Sequence, residues 1–112
     1  FGAETFAAMK PSARFINIGR GPIVQTQALI EALEHQRIAG AVLDVFEQEP
    51  LPAEHPLWDF DNVVITAHMA GDFIGWKTAL TEQFLENFQR WRDNQGLFNQ
   101  VDKRLGFVSS GG

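Results

Sequence analysis

The chain has 112 residues, no cysteine, 45% apolar and 21% charged residues, and a formal charge of -5. That length holds one modest domain of globular rather than disordered composition, and the missing thiols exclude disulfides and cysteine-zinc sites. The acidic balance, with no lysine or arginine cluster and no apolar run near the ~18 residues of a membrane span, argues against nucleic-acid and membrane partners.

Residues 2–9 are alanine-rich with Phe6 and Met9 on one side, and Lys10-Pro11 closes them as a short helix. Because the first residues already read as the body of a helix, a piece of a longer protein is expected. Nothing resembles a signal peptide, so the expected location is cytoplasmic. Arg14 to Ile18 is a strand ending at Gly19, and Thr26 is placed to cap a helix that carries Leu29, Ile30, Ala32 and Leu33 and ends near His35. Residues 40–46 form a second strand, apolar almost throughout, as a parallel strand covered on both faces should be. The stretch 47–61 holds Pro50, Pro52 and Pro56 among charges, and an irregular connection of that length in a compact domain is usually functional or disordered.

Val63 to Thr66 is a third strand. From Trp76 a long amphipathic helix repeats Trp76, Leu80, Phe84, Phe88 and Trp91 every three or four residues, with Asp72 as its cap. The aromatics read as packing residues rather than a cofactor box. Ser109 to Gly112 have nothing apolar to bury and should fray.

Strand, helix, strand, loop, strand, helix implies an α/β fold: part of a doubly wound parallel sheet of about three strands with flanking helices and a long C-terminal helix. Ligands of such sheets bind beyond the carboxyl ends of the strands. Arg20 follows the first strand, Asp44 closes the second with Glu49 just beyond, and His68 follows the third. An arginine offers a rigid fork matched to a carboxylate, and Gly19 and Gly21 allow a tight turn and close approach of a ligand. A histidine beside a carboxylate keeps a proton for a developing alkoxide, and Glu49 suits His68 in that role. An acid-binding arginine beside a histidine acid is what reduction of a 2-oxo acid requires, given a hydride donor.

The bland readings differ. Arg20 alone would be a solvated residue in a glycine turn, Asp44 a strand-end acid, Glu49 a surface acid, and 47–61 a solvated loop. His35 sits where a cation opposes a helix dipole and His55 lies among prolines, so both read as structural. No two histidines stand three to five residues apart, which sets metals aside.

The segments MKPSARFINIGRGPIVQTQALIEAL, AGAVLDVFEQEPLPAEHPLW, NVVITAHMAG and LFNQVDKRLGF resemble, in order, the carboxyl-terminal portion of the D-isomer-specific 2-hydroxyacid dehydrogenases. The resemblance covers nearly the whole chain. It implies a Rossmann-like, NAD- or NADP-dependent oxidoreductase acting on small 2-oxo or 2-hydroxy acids such as glyoxylate or hydroxypyruvate, with Arg20 on the substrate carboxylate, His68 as acid/base and Glu49 as its partner. Asp44, Gly19 and Gly71 would lie at the cofactor. A homodimer is expected for the working protein. Residues 1–112 would be the C-terminal fragment of the dinucleotide-binding domain, with 76–108 returning toward a substrate domain, and the piece by itself would be catalytically silent. An amide typically replaces Glu49 in the formate-oxidising branch, which makes that activity the weaker match. The alternative of another class is a dinucleotide-sensing corepressor of the same fold.

Departures from the family pattern are Ala67 where proline usually precedes the histidine, Gln25 near a common aspartate, and Gln36 where a glycine often ends the helix. The glycine-rich phosphate turn and the ribose-binding acid do not occur in residues 1–112.

Overall fold

The computed structural model describes residues 1–108. The expected fraying of Ser109 to Gly112 lies outside the described residues. The chain divides into two compact units, one spanning Phe1–Gly71 and the other beginning at Asp72.

The first unit contains α1 (Ala3–Ala7), β1 (Arg14–Asn17), α2 (Thr26–Glu34), β2 (Gly40–Leu43) and β3 (Val63–Ile65). The strands form one parallel sheet in the order β1-β2-β3, with Phe15 opposite Ala41, Ala41 opposite Val63, and Asn17 opposite Leu43 and then Ile65 across the sheet. Period-two alternation gives each strand two sets of side chains. Phe15, Asn17, Ala41 and Leu43 are buried, and the core cluster joins the apolar members to Phe6 of α1 and to Leu29, Ala32 and Leu33 of α2. Phe6 meets Phe15 edge to face at 5.3 Å, the arrangement that the ring quadrupoles favour.

The opposite set corrects the expectation of a strand covered on both faces. Ile16 and Val64 are 62% and 56% exposed, and Val42 between them is only half-buried. Within this unit both helices join the core through the Phe15 and Leu43 face, so β2 is apolar throughout for a face that no helix of this unit fills.

The helix boundaries hold to within a residue or two, while the caps do not. Gln25, not Thr26, is the N-cap of α2, and its side chain makes no capping bond. Thr26 is already helical. At the other end Gln36 takes φ +51°, its N–H donates to Leu33 O at 3.0 Å, and Arg37 N–H donates to Ala32 O at 2.8 Å. This is a Schellman closure built on a residue with a Cβ. Glycine enters the left-handed region without that steric cost, so Gln36→Gly should raise the unfolding free energy by about 1 kcal/mol, read as an upward shift of the urea midpoint.

The connection 47–61 contains a short 3-10 turn, Pro56–Asp59. His55 starts it, its Nδ1 accepting the Leu57 N–H at 3.2 Å, and Trp58 Nε1 donates to Pro52 O at 2.8 Å. The loop is therefore ordered by its own side chains, and His55 has the structural role expected of it.

The second unit holds α3 (Trp76–Arg92) and a two-stranded antiparallel ribbon, β4 (Val101–Asp102) and β5 (Phe107–Val108). Gly75, at φ +90°, is the N-cap of α3, which corrects the assignment of Asp72. Asn87 accepts from Phe98 N–H at 2.8 Å and donates to Phe98 O at 3.1 Å, while the Arg90 guanidinium lies 3.7 Å over the Phe98 ring. Leu80, Phe84, Phe88 and Trp91 are each more than half exposed. The ribbon was not foreseen. Its turn is set by Asp102, whose Oδ1 accepts from Arg104 N–H at 2.8 Å, and by Gly106 at φ +79°. Among the described residues no helix is long and apolar enough to cross a membrane.

Candidate active site

Three parallel strands deliver their following residues to one edge, and the first of these turns is built by a buried amide. Asn17, 6% exposed, ends β1; its Oδ1 accepts from Gly19 N–H at 3.1 Å and its Nδ2 donates to Arg20 O at 3.2 Å. The turn is thereby clamped on both sides of Arg20's own peptide. Arg20 is exposed, and its Nη1 donates to Gly19 O at 2.7 Å. Gly21 is buried for a reason that the sequence did not disclose. A Cβ there would stand 1.8 Å from Phe46 O and 2.5 Å from Glu47 N, so this glycine admits the backbone of the chain after β2 rather than a ligand.

Asp44 follows β2 and is 2% exposed. Its N–H donates to Asn17 O at 2.9 Å, joining the first two turns. Its carboxylate reaches the third: Oδ1 accepts from Thr66 Oγ1 at 2.5 Å and from Met69 N–H at 2.9 Å, and Oδ2 accepts from Ala70 N–H at 2.9 Å. The Thr66 hydroxyl leads these bonds in holding the carboxyl below the ordinary aspartate range, against the opposing cost of burial.

The loop so anchored carries His68 at φ +51°. A bulky residue seldom adopts that backbone, and the surrounding bonds determine it here. His68 Nδ1 lies 2.7 Å from Glu49 Oε2, and Glu49 Oε1 accepts the Phe46 N–H at 2.9 Å. The histidine bond, followed by the Phe46 amide, draws the Glu49 carboxyl below its ordinary value. With Nδ1 engaged, Nε2 is the nitrogen left for a substrate. The ring is about half exposed.

A cavity of about 550 Å³ opens beside this pair, lined by Asp44, Glu49, Leu51, Trp58, Ile65 and His68 among others. Glu49, Asp44 and His68 are thus brought together as expected. Arg20 stands on the same carboxyl edge but does not line the cavity, and its guanidinium bonds neither Glu49 nor His68. Nothing approaches within 4 Å of where a Cβ on Gly71 would sit, and its φ is not positive, so neither space nor backbone requires glycine there. Gly19 is tighter, its Cβ position lying 3.2 Å from Ile23 Cδ1. Sequence reasoning missed Asn17 and Thr66. Each was visible only as a polar residue closing an apolar strand. Among the described residues no group of three or more histidines and acids is placed to hold a metal.

Both carboxyls bind protons more weakly folded than unfolded. Folding stability should therefore rise with pH through the ordinary carboxylate range and fall as the pH drops through the lower folded values. We expect denaturant midpoints to decline below about pH 4, and Asp44→Asn to reduce that acid dependence while lowering stability throughout.

The family model for the D-isomer specific 2-hydroxyacid dehydrogenase NAD binding domain matches residues 1–70. Glyoxylate/hydroxypyruvate reductase B of Shigella boydii is 59% identical over 69 residues, covering 62% of this chain and 21% of its own. A crystal structure of a D-isomer specific 2-hydroxyacid dehydrogenase from Xanthobacter autotrophicus, in complex with NADPH and MES, superposes with TM-score 0.83 at 46% identity, covering 94% of this chain and 43% of that one. An NADPH-dependent glyoxylate/hydroxypyruvate reductase from Sinorhizobium meliloti, in complex with NADP and sulfate, gives TM-score 0.87 at 34% identity, covering 96% of this chain and 35% of that one. The chain spans 21% to 34% of the length of the first curated relatives that it matches.

Proposed function

We propose, from the premise that this chain belongs to the D-isomer specific 2-hydroxyacid dehydrogenase family, that it forms the carboxyl-terminal part of an enzyme reducing small 2-oxo acids to D-2-hydroxy acids. In this reading residues 1–112 complete a dinucleotide-binding domain and 76–108 return toward a substrate domain. The observation that carries the activity is the 2.7 Å pairing of His68 Nδ1 with Glu49 at the carboxyl edge of the sheet.

NAD or NADP, when bound, would supply the hydride for reduction at C2 of the substrate. Asp44 would contact its nicotinamide, and Gly19 and Gly71 would lie at the cofactor. Asp44 fits this group: Thr66, Met69 and Ala70 occupy three of the roughly four acceptor directions of its carboxylate, which leaves one on Oδ2 for an amide donor. Arg20 exchanges its bond to Gly19 O for the substrate carboxylate and holds it by paired, charge-assisted hydrogen bonds. His68 gives the proton on Nε2 to the carbonyl oxygen as it becomes a hydroxyl, while Glu49, ionised at neutral pH, fixes the ring and faces the charge on the imidazolium. In the oxidative direction neutral His68 takes the same proton back.

The relatives named for glyoxylate and hydroxypyruvate support these acids as substrates, and those crystallised with NADP or NADPH support a nicotinamide cofactor. The same reading makes the working enzyme a cytoplasmic homodimer. The test is consumption of NADH and NADPH by a full-length protein carrying this segment, offered a panel of 2-oxo acids. Turnover of glyoxylate or hydroxypyruvate is expected; cofactor binding without turnover of any acid would favour the corepressor reading. The 112 residues alone should oxidise neither cofactor.

A further inference from the structure

Two polar side chains are buried among the described residues, Asp44 and Asn17, and only the first has a part in the proposed reaction. Asn17 lies on the core face of β1, two residues after Phe15 and opposite Leu43. An amide costs free energy to bury, and an apolar group would suit those neighbours better, so the core does not account for it. The turn after the strand accounts for it instead. Its Oδ1 accepts from Gly19 N–H at 3.1 Å and its Nδ2 donates to Arg20 O at 3.2 Å, an oxygen that also accepts from Ile23 N–H at 3.2 Å.

These bonds bracket the peptide unit between Gly19 and Arg20, whose carbonyl is the one on which the Arg20 guanidinium rests at 2.7 Å. Without them the backbone would turn freely about Gly19, since a residue with no Cβ has the widest choice of φ and ψ. An arginine on such a hinge loses more freedom when it closes on an anion than one whose peptide is already fixed, and affinity falls by that difference. Asn17 does not line the cavity beside His68, so its effect on a substrate runs through Arg20.

Building on the reading in which Arg20 receives the substrate carboxylate, we infer that Asn17 is a positioning residue: the buried amide holds the Gly19–Arg20 peptide so that the guanidinium meets the anion already oriented. Its contribution is to substrate binding and leaves the proton transfer at His68 alone.

The experiment is a double-mutant cycle on the full-length protein carrying this segment, read as kcat and KM for glyoxylate. Asn17→Ala should raise KM by about tenfold to a hundredfold and leave kcat within about threefold of the parent, because the lost interaction serves bound substrate and transition state alike. In an Arg20→Ala background the same change should leave kcat/KM within about threefold, as action through a single residue requires. Asn17→Ser, whose hydroxyl can still accept from Gly19 N–H though more weakly, should fall between the parent and the alanine variant, and it carries the cycle if the alanine variant does not fold. An unchanged KM, a loss confined to kcat, or an effect that persists undiminished without Arg20 would overturn the positioning role and leave the proposed activity standing. Should the protein reduce no 2-oxo acid, that activity fails by itself, and the positioning role is then decided by binding. Millimolar oxamate should shift the Arg20 Nε–H resonance of the 112-residue chain, identified by its loss in Arg20→Ala, and should shift it less in Asn17→Ser. Equal shifts in the two proteins, or none in either, would refute the role.

Discussion

Replacing His68 with asparagine should lower kcat for 2-oxo acid reduction by about a hundredfold to ten-thousandfold, the usual worth of a positioned general acid. Asparagine is chosen because it tolerates the left-handed backbone that position 68 adopts at φ +51°. The loop should therefore keep its three bonds to Asp44, and what disappears is the proton donor and the partner of Glu49. With Arg20 holding the substrate carboxylate as proposed, affinity should change little, so the loss falls on kcat rather than KM. Steady-state kinetics on the full-length protein carrying this segment would settle the point: a variant within tenfold of the parent would remove His68 from the reaction.

The second large effect is on folding. Gly21→Ala should cost more than about 4 kcal/mol, in the range reserved for changes that no side-chain rotation relieves. The added carbon would overlap Phe46 O at 1.8 Å and Phe46 C at 2.0 Å. Both are backbone atoms, so the turn after β1 must separate from the chain leaving β2. That chain carries Glu49 three residues on, whose Oε1 is tied to Phe46 N; the same substitution should disorder the pairing of Glu49 with His68. Gly71→Ala is the control, with open space around its Cβ position and an expected change within about 0.5 kcal/mol. Equal denaturation midpoints for the two variants would contradict this account.

The contrast between these glycines shows how far the sequence could be read. The alternation of apolar strands with an amphipathic helix disclosed the parallel sheet, because βαβ topology leaves few alternatives. Once the sheet was drawn, Arg20, Asp44 and His68 fell on one edge by connectivity alone. What connectivity cannot convey is which atoms meet. The glycine pair around Arg20 suggests room for a ligand, whereas Gly21 makes room for Phe46. Residue type points Asp44 toward the cofactor, yet its carboxylate also anchors the histidine loop through two bonds, to residues 25 and 26 positions further along the chain. Thr26 and Asp72 were plausible caps by residue type, but Gln25 and Gly75 occupy the capping positions because backbone contacts, not side-chain oxygens, begin those helices. The ribbon at 101–108 has strands of two residues each, too short to leave a periodic signal.

In this structure the guanidinium of Arg20 rests on the carbonyl of its own neighbour, Gly19. If Arg20 receives a substrate carboxylate, as proposed above, recognition is a swap of one acceptor for another, and its free energy is the difference between them. An anion, which forms hydrogen bonds about twice as strong as a neutral oxygen does, displaces the carbonyl with profit. An ester or amide of the same acid offers only what the peptide already gives, so on that proposal uncharged mimics of the acid should gain no hold at Arg20.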